Sequence, residues 1–264
     1  MEWYLEGANT GSNGAQHIIG FMYFHGLGVA EDYSKAMEWL LKSVSQGFSL
    51  SQRQIGIMYG NGKGVPRDHS RAMEWFLKAA NQGDFESKTR IALMYADWNE
   101  VPVDDSKAIE WLSNAAEHGL AVPQYALGCA YKNGRGVSVD YSKAMEWFLK
   151  AANQGDADAE CAIGVMYLHG EGVRRDFAKA ATWLRKAAKQ GNAKAQFNFG
   201  HLYYAGDGVP EDREKALEWF LLAANQGERS AQYRLSHMYY NGIGTPQNIA
   251  LGEEWNRIAR NNPR

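Results

Sequence analysis

The sequence predicts an all-α chain, a solenoid of seven 36-residue helix-turn-helix repeats preceded by one extra helix, and three periodic series predict it. Trp3, Trp39, Trp75, Trp111, Trp147, Trp183, Trp219 and Trp255 stand 36 residues apart. Tyr23, Tyr59, Tyr95, Tyr131, Tyr167, Tyr203 and Tyr239 keep the same step, as do the Gly-x-Gly pairs from Gly26 and Gly28 to Gly242 and Gly244. Units this short cannot bury their own apolar face, so they stack and borrow cover from their neighbours.

The leading helix falls in 1–11 and the repeats in 12–47, 48–83, 84–119, 120–155, 156–191, 192–227 and 228–264, read as one domain over 1–264. The second helix of each unit, helix B, is clearest in DYSKAMEWFLKAANQG. Ala144, Trp147, Phe148, Ala151 and Ala152 follow i, i+3, i+4, i+7, i+8 and predict one buried stripe. Asp140 stands where an N-cap belongs and Gly155 where the chain leaves the helix in a left-handed turn. Helix A precedes it, as in AQFNFGHLYYAG, where Ala195, Phe199, Gly200 and Tyr203 share a face. Gly200, with Gly20, Gly56, Gly128 and Gly164 at the same phase, predicts close approach of the two backbones. The Gly-x-Gly-Val that joins A to B reads as a connector, since no strand precedes it and its Gly-x-Gly step recurs six times.

The ends and one interior unit depart from the pattern. In the last unit Leu217, Phe220 and Ala224 give way to Glu253, Asn256 and Arg260, three polar residues on one helical face, which predicts a capping helix and a solenoid ending near Arg264. At the start, Trp3 and Tyr4 copy an internal helix B with no helix A before them. That bare face predicts either upstream repeats in a longer parent chain or self-association through the uncapped N-terminal helix. In the third unit Trp98 and Glu100 replace the two glycines, so the turn must be rebuilt there, with Trp98 a drifted loop residue or an exposed anchor.

Composition narrows the function. With 264 residues, 45% of them hydrophobic, the chain can bury a substantial core, and a net charge of −2 without a basic face makes nucleic acid an unsuitable partner. No stretch is apolar over the length a bilayer requires, so no direct membrane insertion is expected. Two cysteines and the lack of any N-x-S/T site lead to the expectation of a cytoplasmic protein with free thiols at Cys129 and Cys161. There is no H-E-x-x-H, G-x-S-x-G, S-x-x-K or C-x-x-C, so no catalytic residue and no cofactor is expected. His201 and His237 stand one repeat apart with no carboxylate beside them, so no metal site is expected either.

The Tyr-x-x-Gly-x-Gly-Val segments, each joined to Asp-x-x-Lys-Ala-x-x-Trp-x-x-Lys-Ala-Ala-x-x-Gly, resemble the Sel1-like repeat family, a branch of the tetratricopeptide class, over essentially the whole chain. The resemblance implies a right-handed α-solenoid that scaffolds other proteins. It also brings a rival reading, because disulfide-linked relatives have been connected with penicillin binding; a β-lactamase-like hydrolase is therefore one alternative. An RNA-binding helical repeat is another.

Superposing helix A on the tetratricopeptide pattern places four columns in a concave groove. The first holds His17, Arg53, Thr89, Tyr125, Cys161, Phe197 and Tyr233, and the second Phe21, Ile57, Leu93, Cys129, Val165, His201 and His237. The third holds Phe24, Gly60, Ala96, Lys132, Leu168, Tyr204 and Tyr240, and the fourth His25, Asn61, Asp97, Asn133, His169, Ala205 and Asn241. These columns vary within the chain while the core columns repeat. The expected partner-binding residues are Phe197, His201, Tyr204, Tyr233, His237 and Tyr240 as an aromatic and imidazole patch, with Tyr125, Lys132, Arg53, His17, Phe21, Phe24 and His169 along the rest of the groove. Arg53, Lys132 and Asp97 are expected to set register. The tryptophans are expected in the core, and the lysines at 35, 107, 143, 179 and 215 on a solvated face with their stems over Tyr or Trp. The function this predicts is a non-catalytic scaffold or adaptor that takes a partner peptide or helix.

Overall fold

The computed structural model describes residues 2–96 and 105–262, so Asp97, Trp98 and Glu100 lie outside the described residues. Among those described there are fifteen helices and no strand. They form two compact units, residues 1–118 and 119–264. The first contains α1 (Glu2–Asn9), α2 (Asn13–His25), α3 (Tyr33–Val44), α4 (Ser49–Asn61), α5 (His69–Ala80), α6 (Phe85–Ala96) and α7 (Asp105–Glu117). The second contains α8 (Ala121–Asn133), α9 (Tyr141–Ala152), α10 (Ala157–His169), α11 (Phe177–Lys189), α12 (Ala193–Ala205), α13 (Arg213–Asn225), α14 (Arg229–Asn241) and α15 (Ile249–Asn261). Even-numbered helices are the A helices and odd-numbered ones the B helices.

Five B helices start at an aspartate with two tasks. The side chains of Asp32, Asp68, Asp140, Asp176 and Asp212 accept a hydrogen bond from the backbone N–H three residues on, a cap that contributes about 1 kcal/mol. Their own N–H groups donate to the carbonyls of Tyr23, Tyr59, Tyr131, Tyr167 and Tyr203 in the preceding A helix. The connector is thereby tied at both ends. Its first glycine closes the A helix in the left-handed region, as at Gly206 with φ 75°. Its second glycine makes stacking possible, because a Cβ on Gly64, Gly172 or Gly208 would run into the start of the previous B helix, at Tyr33, Tyr141 and Phe177.

Inside a repeat, the A-helix glycine receives one large side chain from B. A Cβ on Gly20, Gly56, Gly128, Gly164 or Gly200 would lie 2.6–2.9 Å from Leu40, Phe76, Phe148, Leu184 or Phe220. Those five side chains and Leu112 are each 3% exposed or less, and each contributes about 1.5–3 kcal/mol through burial. The tryptophans are a correction to the sequence reading. Trp147 is only half-buried while Phe148 beside it is sealed, and α9 keeps Ala144, Ala151 and Ala152 in the core. Lys150 Nζ sits 3.8 Å from the Trp147 ring centroid, as Lys42 and Lys78 sit 4.1 Å from those of Trp39 and Trp75. The ring seals the repeat from one side and is sheltered from water by the lysine on the other. The lysines at 35, 143, 179 and 215 lie over Tyr23, Tyr131, Tyr167 and Tyr203, and each also pairs with its N-cap aspartate.

A half-buried amide clamp, not foreseen from the sequence, joins A to B in most repeats. Gln82 Nε2 donates to Gln52 Oε1 at 2.7 Å, Gln154 to Gln124 at 2.8 Å and Gln226 to Gln196 at 2.8 Å. Gln196 and Gln232 also donate to the carbonyls of Ala188 and Ala224 in the previous B helix at 3.2 Å. The acceptors Gln52, Gln124 and Gln196 are buried and their donors sit at the exposed edge; leaving the buried partner unpaired would cost about 1–3 kcal/mol, so the clamp favours one register of stacking. In the fifth repeat Glu160 takes the glutamine's place, fully buried, with Gln190 donating to Oε2 and Lys186 paired with Oε1.

In α15 the polar substitutions leave Glu253 and Arg260 exposed, while Gly252 and Ala259 are buried. A size exchange accompanies them: Ser236 stands where five other repeats have the A-helix glycine, and its hydroxyl donates to the carbonyl of Gly252 at 2.8 Å.

Candidate partner-binding face

The A helices within a unit lie against one another, α2 against α4 and α10 against α12, whereas no two B helices make a comparable contact among the described residues. Among the described residues the four variable columns all lie on these A helices. The first and second columns are half-buried to exposed, except for Cys161.

In unit 2 the six patch residues come from α12 and α14, and they divide into three kinds. Phe197 mainly finishes the core, its ring 5.7 Å from that of Phe220. His201, Tyr204 and Tyr240 are half-buried, and Tyr233 and His237 are exposed. Tyr204 has the Arg213 and Arg234 guanidinium carbons at 5.4 and 5.2 Å from its ring centroid, while Arg229 lies 5.6 Å from that of Tyr233. Burial, and then the positive charge of Arg234, hold the His201 imidazole below its ordinary pKa. The patch is thus a ring surface interleaved with guanidinium groups. The arginines were missed in the sequence because they lie outside the four columns.

Two residues expected to set register are engaged in structural pairs. Arg53 Nη1 meets Asp84 Oδ1 at 3.0 Å, and Asp84 also accepts the Ser87 N–H that starts α6. Lys132 Nζ meets Glu171 Oε2 at 2.9 Å, from one repeat to the next. These cations tie repeats together. Tyr125 packs on Phe148 at 5.7 Å and hydrogen-bonds Cys129, and burial pushes its phenol pKa well up. Cys129 and Cys161 are free, both thiols raised chiefly by burial, Cys161 to about 11, so they are protonated at neutral pH.

In unit 1, His17 Nδ1 lies 3.0 Å from Ser51 Oγ, and burial followed by the Arg53 charge lowers its pKa. Phe21 stays open to solvent with its ring 4.2 Å from that of His25, and Phe24 packs on Tyr33 at 5.4 Å. His169 of unit 2 is exposed at the end of α10. Of the expected patch, Tyr204 of α12 is joined to α14 through Arg234, which lies over its ring. Among the described residues no three His, Cys, Asp or Glu side chains are grouped to hold a metal ion, and no helix is long and apolar enough to cross a membrane.

Helix pairs with a repeated core and a variable A face define an all-α repeat protein of the helix-turn-helix kind. The Sel1 repeat matches seven times, at 14–48, 49–84, 89–120, 124–156, 157–192, 193–228 and 229–260, and the chain belongs to that family. It is similar to a protective antigen of uropathogenic Escherichia coli with an SLR fold, at 35% identity and TM-score 0.81, over 98% of this chain and 56% of that one. The chain thus spans little more than half the length of that protein. A Sel1 repeat protein from Oxalobacter formigenes is similar at 37% identity and TM-score 0.79, over 99% of this chain and 76% of that one. An immunity protein from Pseudomonas aeruginosa, at 18% identity and TM-score 0.50 over 80% of each chain, shares the fold alone. No curated protein matches the chain.

Proposed function

We propose that this Sel1 repeat chain is a non-catalytic scaffold whose A-helix face binds an extended peptide or a helix of a partner protein. One observation carries the reading. The residues that hold each repeat together recur from unit to unit, while the rings of α12 and α14 differ from their counterparts and stand half-buried to exposed beside arginines. Large rings with a polar tip, partly desolvated and already fixed by packing, lose little freedom on contact and are the usual anchors of a protein interface. Replacing Tyr204, His237 and Tyr240 by Ala should abolish capture of partners from native extract and leave helical content intact. Capture profiles unchanged by the triple replacement would refute the patch.

The N-terminal helix supports self-association as an additional proposal. Trp3 is 89% exposed, whereas Trp39 and Trp75 are half-buried. Light scattering should show a concentration-dependent dimer that Trp3→Glu abolishes, and equal masses for the two chains would remove this proposal.

A further inference from the structure

The third A-helix column carries a ring in three repeats, and in two of them the ring rests on the start of its own B helix: Phe24 on Tyr33, and Tyr204 beneath Arg213. The second repeat has Gly60 there instead. Nothing in the backbone requires a glycine at that place, since Gly60 has no positive φ and an added Cβ would meet only Ala72, at an ordinary 3.7 Å. What the missing ring leaves is a cleft in unit 1 of about 240 Å³. Ile57, Phe76, Leu93 and Met94 give it apolar walls, and about 150 Å³ with walls of that kind already admits a benzene ring.

The rim has the opposite character. Arg67 and Arg90 both line the cleft, and His69 occupies the place that Tyr33 holds in the first repeat. Arg90 gives Nη2 to Glu86 at 3.1 Å and lies over Phe76, yet its Nε–H is buried with no acceptor. The Arg90 side chain is 38% exposed despite that pair, so its positive charge at the rim favours an incoming anion such as a carboxylate.

We propose that this cleft is a binding site for an aromatic side chain with a carboxylate beside it, presented by an acidic partner peptide. The inference rests on the reading of the A-helix face as the peptide surface and names the chemistry of one anchor. The ring fills the volume left by Gly60, and the carboxylate meets Arg90 and Arg67.

The test uses the full chain and three small probes, 3-phenylpropionate, 2-phenylethylamine and propionate, followed by saturation-transfer NMR. The aromatic acid should bind in the millimolar range expected of so small a ligand, with saturation strongest on its ring protons. It should bind at least about fivefold more tightly than the amine or propionate. Gly60→Phe rebuilds the ring that the first repeat carries as Phe24 and should abolish binding in a chain that stays helical. Leu93→Glu should abolish it by bringing a carboxylate to the mouth, and it decides the question if Gly60→Phe does not fold. Arg90→Gln should weaken the acid by about threefold or more and narrow its advantage over the amine. No binding, equal binding of acid and amine, or binding that survives in folded Gly60→Phe or Leu93→Glu would overturn the proposal. The Tyr204, His237 and Tyr240 triple replacement lies in unit 2 and should leave probe binding unchanged, so the cleft and the ring patch fail separately.

Discussion

Positions 60 and 204 are the same place in the repeat, one in each unit, and they hold a glycine and a tyrosine. Around them the packing is alike: Gly56 and Gly200 each receive a buried phenylalanine, Phe76 and Phe220, and Gln82–Gln52 and Gln226–Gln196 clamp the helices. Above that shared interior the surfaces diverge. Unit 2 presents a ring beneath two guanidinium groups, and unit 1 presents a cleft with two guanidinium groups at its edge. The contrast teaches that the fold is held by a few columns that leave little freedom, while the A-helix face next to them can hold a large ring or none without changing the stack.

If the interior is common to both units, removing its largest side chain should hurt both. Phe76→Ala and Phe220→Ala should each cost about 3–5 kcal/mol, read from urea unfolding followed by circular dichroism. A loss confined to one of them would break the comparison. Two glycines four residues apart decide the next effect: Gly56→Ala drives a methyl group into the Phe76 ring, 2.7 Å away, and should cost about 1–3 kcal/mol. One turn further on, Gly60→Ala brings a Cβ against Ala72 only, at an ordinary 3.7 Å, and should instead raise stability, by up to about 1 kcal/mol, because alanine is the better helix former. Opposite signs at two glycines of one helix would separate a packing glycine from a vacant one.

The smallest effect concerns pH. His201 has its folded-state pKa lowered, so the fold prefers the neutral ring, and its stabilising contribution is complete above the ordinary value of 6.5. As pH falls below that value the unfolded chain takes up the proton first, and stability declines toward the lowered pKa. Comparing urea midpoints at about pH 7.5 and about pH 5.5, wild type should lose more than His201→Asn, and Arg234→Gln should make the loss shallower. His17, lowered chiefly by burial too, adds a similar dependence in unit 1, so only the difference between chains reports on His201.

The repeat, the helix pairs, the aspartate caps and the close glycines were legible because each is a local rule written many times. The clamping amides were not. Gln196 and Gln226 are 30 residues apart and read as polar background until two helices bring them together. The same blindness hid the partners of Arg53 and Lys132, since Asp84 and Glu171 belong to the following repeat. Tryptophan misled for another reason: a large ring at core phase suggests full burial, yet Lys150 takes the place of a covering helix over Trp147. Gly60 stood in plain view in its column, but only the packing of its counterparts Phe24 and Tyr204 shows that a ring fills the corresponding volume in their own repeats.

The most direct test sets the A face against the B face. A peptide selected from a random library on the immobilised chain would be titrated against wild type, the Tyr204, His237 and Tyr240 triple replacement, and a chain with Lys150→Ala and Lys186→Ala on the B helices. A tenfold or greater loss, about 1.4 kcal/mol, confined to the A-face replacement is the predicted result. Equal losses in both chains, or a loss only with the B-helix lysines, would contradict it.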